Sequence, residues 1–307
     1  MKKEKVVVIG SGPAGLTAAL YTARARLEPL IVSGTQLGGQ ISITNEVENY
    51  PGFPEGTTGP ELVELMRKQA EVFGARTVID EVTKVDFSSG SPFTLETHSE
   101  TYEAEAVIVT AGASPKRLGV PGEEEFIGRG VSFCATCDGF FFREKNVVVV
   151  GGGDSAMEES IFLTRFANQV DVVHRRDELR AGEALKRRAF SNEKLGFIWD
   201  TVVEEIVGNG QVQSIRTRNV KTGDIEDRPT DGVFIFIGHY PNSSLFKGQV
   251  EMDEVGYLTV DKKMMTSVPG VFAAGEIQDS VYRQIATSVG QGCAAAIMAE
   301  RWLEAQE

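Results

Sequence analysis

The stretch Val6-Val7-Val8-Ile9-Gly10-Ser11-Gly12-Pro13-Ala14-Gly15 decides the fold of this chain. Four β-branched residues in a row are the pattern of a strand buried on both faces of a parallel sheet. The Gly-x-Gly-x-x-Gly that follows opens into Leu16 to Arg26, which reads as a helix. In that setting the first glycine makes the turn and the second lets the backbone approach a pyrophosphate. The third lets helix and strand pack closely. The phosphates belong at the helix N-terminus, where free N–H groups and the dipole favour an anion. The motif predicts a dinucleotide-binding unit.

The pattern returns later in the chain. Val147 to Val150 reads as a strand, Gly151-x-Gly153-x-x-Ala156 as the turn (with Asp154 and Ser155 inside it), and Ser155 to Ala167 as the helix. Two such units predict two bound dinucleotides. The copies differ at the end of their second strand, where an acid usually holds the adenosine ribose. In the first copy Pro29 to Ser33 ends on Ser33-Gly34, which leaves the ribose contact unassigned. In the second, Val170-Asp171-Val172-Val173 runs into His174-Arg175-Arg176, with Arg180 beyond. Guanidinium forks match phosphate oxygens, whereas an acid would repel them. The second unit is therefore expected to prefer NADPH over NADH, the alternative being an ordinary basic turn. His174 reads equally as a spacer or as a second phosphate donor.

Outward from these turns, Gly38-Gly39-Gln40 and Val47-Glu48-Asn49-Tyr50-Pro51-Gly52-Phe53-Pro54 predict a long shaped loop, either plain surface or a cofactor wrap. Thr58 to Gly74 reads as an amphipathic helix, capped by Thr57 or Thr58, with Leu62, Val63, Leu65 and Met66 toward a core. Arg76 to Val109 reads as short antiparallel strands, at Thr77–Ile79, Val82–Phe87, Phe93–Thr97 and Thr101–Tyr102. Ala106 to Thr110 returns to the buried-strand pattern and closes at Ala111-Gly112-Ala113; Asp231 to Ile237-Gly238 mirrors it. Val202 to Val220 reads as antiparallel strands. Ser114-Pro115 and Tyr240-Pro241 are the crossings, so the second unit (114–244) is expected to be inserted in the first (1–113 and 245–307). The fold class is α/β, two nested Rossmann-like three-layer domains. Near the end, Val271 to Glu276 delivers an acid suited to a cofactor hydroxyl. Tyr282-Arg283-Gln284-Ile285 leads into a helix from Ala286 to Leu303, on which Cys293 reads as a small buried hydrophobe.

Composition limits the function classes. The chain has 307 residues, 41% hydrophobic and 24% charged, with 44 acidic against 31 basic residues and a net charge of −13. That balance suits neither nucleic acid nor an anionic membrane. No apolar run approaches the roughly 18 residues that span a bilayer. The apolar run after Met1-Lys2-Lys3-Glu4-Lys5 is too short for a signal peptide, so a cytoplasmic location is expected. Three cysteines are too few for a secreted disulfide framework. Cys134-Ala135-Thr136-Cys137-Asp138 is spaced for a redox disulfide or half a metal site. Zinc would need two further ligands, and His98, His174 and His239 are scattered, so no metal is expected. An acid directly after the second cysteine is placed to exchange a proton with a departing thiolate.

Jointly, Gly10 to Gly15, Gly38 to Gln40, Glu48 to Phe53, Cys134 to Gly139, Gly151 to Ala156, His174 to Arg176, Gly275-Glu276 and Tyr282 to Gln284 resemble the low-molecular-weight thioredoxin reductases over essentially the whole chain. The resemblance implies a flavoprotein homodimer that passes a hydride from NADPH to FAD, then electrons to the Cys134–Cys137 disulfide and on to thioredoxin or a thioredoxin-like protein. Cys137 would face the flavin, Cys134 would attack the partner's disulfide, and Asp138 would be the acid/base. The outer unit would hold FAD through Gly10 to Gly15, Gly38, Gly39, Gln40, Asn49, Val82, Ala111, Gly112, Gly275, Glu276, Arg283, Gln284 and Ile285. The inner unit would hold NADPH through Gly151, Gly153 to Ala156, His174, Arg175, Arg176, Arg180, Ile237 and Gly238. It also implies rotation of the inner unit between half-reactions, hinged at the two crossings. The chain departs from the family pattern at Glu276, usually Asp, and at Phe133, usually smaller or tyrosine. Arg129 and Phe140 to Phe142 match the partner-docking neighbourhood, with Phe141 and Phe142 open between docking and core. Rival readings are a disulfide reductase using another donor such as ferredoxin, a ferredoxin–NADP reductase, and a non-catalytic flavin-binding sensor. The basic cluster speaks against the first, and the cysteine pair against the second.

Overall fold

The computed structural model describes residues 1–44 and 46–306. The chain divides into two compact units, one of residues 1–114 and 240–307, the other of Pro115–His239. In chain order the first unit opens with β1 (Lys2–Ile9), α1 (Pro13–Arg24), β2 (Leu30–Val32), α2 (Gly59–Val72), β3 (Arg76–Val78), β4 (Val82–Asp86), β5 (Phe93–Thr97) and β6 (Thr101–Val109). The short strand β7 (Ala113–Pro115) carries the chain across. The second unit comprises β8 (Val131–Ser132), α3 (Ala135–Asp138), β9 (Asn146–Gly151), α4 (Asp154–Leu163), β10 (Gln169–Val173), α5 (Glu183–Phe190), β11 (Leu195–Ile198), β12 (Thr201–Gly208), β13 (Val212–Asn219), β14 (Ile225–Pro229) and β15 (Gly232–Phe236). After β16 (His239–Pro241), β17 (Val271–Ala273) and α6 (Ile285–Glu304) complete the first unit.

In the first unit the sheet order is β3-β2-β1-β6-β5-β4, and β17 also pairs with β6. The far edge of β6 is shared: its start pairs antiparallel with β5 (Leu95 opposite Tyr102), its end parallel with β17 (Phe272 opposite Ile108). Val6, Val7 and Val8 have no exposed surface, as a two-sided sheet demands. α1 and α6 cover one face with Leu16, Ala18, Ala295, Ala296 and Ala299, while Phe87, just after β4, and Phe93 of β5 pack on the other. Small residues bring the two helices together: a Cβ on Gly292 would lie 2.2 Å from the Ala14 carbonyl oxygen. In the second unit all five strands of the sheet β11-β10-β9-β15-β8 are parallel, and β12-β13-β14 form a separate antiparallel sheet.

Several elements differ from the sequence reading. β3 is not antiparallel; it extends the sheet parallel to β2, with Ile31 opposite Thr77. Thr101–Tyr102 is not a separate strand but the start of the nine-residue β6, because alternation gives way to two-sided burial within one strand. The glycine-rich loop contains a 3-10 turn over Gly39–Ile43. Leu65 lies on the exposed side of α2, whose buried stripe is Leu62, Val63 and Ala70, and Thr58 is the cap through its side chain to Glu61 N at 3.2 Å. Cys293 is half-buried, and its sulfur hydrogen-bonds Tyr21, holding that phenol above its ordinary range. Among the described residues no helix is long and apolar enough to cross a membrane, and no group of three or more His, Cys, Asp or Glu is arranged to hold a metal.

Candidate active site

The redox candidate is built on β8 and the turn after it. Cys134 and Cys137 form a disulfide with Cα atoms 5.3 Å apart. Cys134 is the N-cap of α3, and its sulfur accepts the Cys137 N–H at 3.2 Å. A sulfur that already receives an N–H at a helix start is the better placed of the two to carry thiolate charge. Ala135 is fully buried, and its N–H donates to Glu159 of α4 at 3.0 Å. Ser132 ties the turn together. Its hydroxyl accepts from Cys134 N at 3.1 Å and donates to Asp138 at 2.5 Å. Burial pushes the Asp138 carboxyl up, and the Ser132 hydroxyl opposes that by bonding the charged form. An acid biased toward keeping its proton beside a disulfide is suited to exchanging that proton with a thiolate.

Behind the pair the three phenylalanines separate. Phe142 is 8% exposed, packs on Gly232 and meets Phe234 at 5.0 Å, so it is core. Phe141 packs at the rim of the same cluster, while Phe140 is 49% exposed with Arg143 stacked over it. Phe133 lies under the Arg117 guanidinium at 4.4 Å.

The first glycine turn has a cradle that fits a dinucleotide pyrophosphate. Gly12 caps α1 with no side chain on the free N–H groups, and a Cβ built on it would meet nothing within 4 Å. Gly10 (φ +109°) and Gly15 are packed instead: a Cβ on Gly15 would stand 2.1 Å from the Gly10 carbonyl oxygen and 2.7 Å from the Thr110 hydroxyl. Ser11 joins this turn to two other predicted segments, donating to Ser33 O at 3.1 Å and accepting from Gly38 N at 2.9 Å. Gly39 faces Gly12, and Gly275 packs on Ala14. Asn49 donates to Gln284 at 3.2 Å, and Gln284 caps α6 at Ile285, joining the loop to that helix. Gln40 is the second residue of the 3-10 turn over Gly39–Ile43. Ala111 and Gly112 lie beyond β6, where their carbonyls accept from Asn242. Glu276 follows β17; burial raises its carboxyl to about 7 against the pull of Arg283. Val82 stands apart as a 7% exposed core side chain at the start of β4.

The second turn fits a phosphate ligand in the same way. Gly153 caps α4 without a side-chain partner and faces open space. Asp154 instead accepts from Gly182 N at 2.7 Å, bracing the next loop. Ser155 is exposed and Ala156 fully buried. Arg175, Arg176 and Arg180 are exposed, and none is in an ion pair among the described residues. His174 is 5% exposed with its ring against Gly152, where a Cβ would stand 2.3 Å away, and its buried Nε2 has no partner. Burial pushes its imidazole down against a backbone bond at Glu178, and the neighbouring arginines push it the same way as burial. Ile237 and Gly238 follow β15, Gly238 accepting from Lys116 N at 2.9 Å.

Ser132, Glu159, Thr110 and Asn242 were invisible in the sequence as site residues. Each acts through a tertiary contact, and none stands in a spaced motif.

This geometry has close relatives. The pyridine nucleotide-disulphide oxidoreductase family model matches residues 4–292. The chain is 51% identical to a thioredoxin reductase of Streptomyces coelicolor over 98% of this chain and 94% of that one. It is 53% identical to one of Mycolicibacterium smegmatis over 98% and 97%. The crystal structure of thioredoxin reductase from Streptococcus pyogenes, 45% identical, superposes with a TM-score of 0.94 over 99% of both chains. A match of this extent, over a fold with two glycine turns and a Cys-x-x-Cys disulfide, leaves one assignment: the chain belongs to the pyridine nucleotide-disulphide oxidoreductases, among the thioredoxin reductases.

Proposed function

We propose that the chain is an NADPH-dependent thioredoxin-disulfide reductase with FAD as its bound cofactor. One observation carries the reading: a disulfide at the cap of α3, with a buried acid one residue beyond, in a unit whose glycine turn is followed by three exposed arginines. The outer unit takes FAD at Gly10 to Gly15, with Gly38 to Gln40, Asn49, Ala111, Gly112, Gly275, Glu276 and Arg283 to Ile285 around it. The inner unit takes NADPH at Gly151 to Ala156, with Arg175, Arg176 and Arg180 on its 2′-phosphate. FAD, when bound, supplies the two-electron relay between NADPH and the disulfide.

The chain's own residues do the rest. Once the disulfide is open, the Cys134 sulfur attacks the disulfide of thioredoxin, and a thiolate is the effective form for that step. Cys137 closes the ring again, expelling reduced thioredoxin. Asp138 holds the proton that the departing thiolate takes up, and Ser132 fixes the carboxyl through the 2.5 Å bond. The half-exposed Phe140 and Arg143 pair offers the docking thioredoxin an aromatic and a cation. The working form is a cytoplasmic homodimer, and the crossings at Ser114-Pro115 and Tyr240-Pro241 serve as the hinge between half-reactions.

The test uses purified holoprotein. The bound flavin is bleached by NADPH and far less by equal NADH, and oxidised thioredoxin yields thiols in step with NADPH consumed. No thiol release from thioredoxin, or equal use of NADH, overturns the reading.

A further inference from the structure

Gly139, two residues beyond Cys137, has no side chain, and rings from the end of α4 lie beside it. A Cβ built there would stand 3.4 Å from Phe166 and 3.6 Å from Phe162. These rings belong to a row that joins two loops. Phe162 meets Phe166 at 5.5 Å, and Phe166 meets Phe140 at 6.2 Å, both edge to face. A guanidinium closes each end, Arg165 at 5.0 Å over Phe162 and Arg143 at 5.3 Å over Phe140. Backbone bonds stitch the loops together: Glu144 N–H donates to Phe166 O at 3.1 Å and Asn168 N–H to Lys145 O at 2.9 Å. Lys194 fixes the end of α4 by donating to Thr164 O at 3.0 Å and Ala167 O at 2.9 Å. Phe140, Arg143 and Arg165 are exposed, and Phe162 and Phe166 are half-buried, so the row is accessible. A guanidinium lying on a ring is held in place yet keeps its in-plane N–H donors for a carboxylate. Arg143, Lys145 and Arg165 are in no ion pair among the described residues. In residues 139–145 and 162–168 these three cations face one acid, Glu144, although the whole chain carries a net charge of −13. The row is thus a basic island, continuous with the redox turn, on an acidic protein.

We propose that this row is a docking ledge for an acidic protein partner. Arg165 and Arg143 take carboxylates beside the partner's disulfide, and the ring edges between them take an apolar side chain. The proposal rests on the reading of Cys134 and Cys137 as the pair that reduces a thioredoxin. It carries the contact surface from the Phe140 and Arg143 pair to the end of α4, so that two separate segments of the chain hold the partner. Arginines and aromatic rings are the residues in which interfaces concentrate their binding energy.

The experiment follows NADPH consumption by wild-type, Arg165→Ala and Arg165→Glu holoprotein as thioredoxin is varied, at low and at moderate ionic strength. A thioredoxin of net negative charge is the probe. Arg165→Ala should raise the KM for thioredoxin about three- to tenfold and Arg165→Glu more, with kcat little changed, because a docking charge acts on encounter and not on disulfide exchange. The wild-type KM should climb with salt, and the climb should be shallower in Arg165→Ala, which has one docking charge fewer to screen. Lys262→Glu, at an exposed lysine of the first unit, makes the same change in net charge as Arg165→Glu and should keep the wild-type KM. A KM and salt dependence of Arg165→Glu equal to wild type overturns the proposal, and so does an equal rise in Lys262→Glu. A wild type that releases no thiols from thioredoxin would instead sink the redox reading, so the two failures are told apart.

Discussion

The parallel strands of the two units' main sheets share one plan but draw their fifth member from opposite ends of their units. In the first, the order β3-β2-β1-β6 is completed by β17, which arrives last and delivers Gly275-Glu276. In the second, β11-β10-β9-β15 is completed by β8, which arrives first and delivers Phe133 to Asp138. The same position beside the central strands therefore carries an acid in one unit and a disulfide with its acid in the other. Burial raises both carboxyls, Glu276 to about 7 and Asp138 in the same direction. The same strand position thus ends in a lone buried acid in one unit and in a disulfide beside a buried acid in the other.

The glycine turns diverge in a second way. In the first, the Thr110 hydroxyl donates to Ile9 O at 2.9 Å and Gly10 O at 3.1 Å, filling the space beside Gly15. In the second, the Ala156 methyl packs against Gly151, beside the Phe236 carbonyl. The largest expected effect follows from this. Gly15→Ala should destabilise by at least about 3 kcal/mol, since its Cβ meets backbone that cannot yield, and the protein should purify without flavin. Retained flavin and an unchanged denaturation midpoint would break the comparison.

The next effect concerns the acid of the first unit. Its folded-state value near 7 lies above that of an unfolded glutamate, so its contribution to stability is full below about pH 4 and lost as pH rises through about 7. In flavin-free protein this loss should be roughly 3 kcal/mol between pH 4.5 and 7.5. Glu276→Gln should flatten that slope, as urea midpoints across pH will report. Smaller again is the double change Arg175→Ala with Arg176→Ala. Losing charge-assisted bonds to a phosphate should weaken NADP⁺ binding by about 10- to 100-fold and leave NADH use unchanged, read by calorimetry and flavin reduction. The smallest is Ala156→Gly, expected to cost about 1 kcal/mol through helix propensity with the flavin retained. That contrast with Gly15→Ala at the matching position sharpens the point.

Legibility followed locality. Both glycine turns, the basic cluster after β10 and the Cys-x-x-Cys were readable because strand, turn and helix are neighbours in the chain and each glycine has a local reason. The Leu65 face of α2 was misjudged because a stripe of helical period does not say how much of it a neighbour covers. β3 was misassigned because its partner β2 lies far back in the sequence, and nothing in Thr77-Val78-Ile79 encodes strand direction. Phe140, Phe141 and Phe142 are chemically alike, and only packing against Gly232 and Phe234 separates a core ring from a surface one.

By itself the sequence determined two nested dinucleotide folds, the redox pair and the preference for a phosphate on the second nucleotide, since these rest on periodicity, spacing and charge. Tertiary structure alone decided that His174 packs against Gly152, that Ser132 holds Asp138, and that Glu159 reaches the first turn of α3. Those roles depend on which groups lose water and meet across the fold, and desolvation and long-range contact are properties of the packed chain that no local pattern carries.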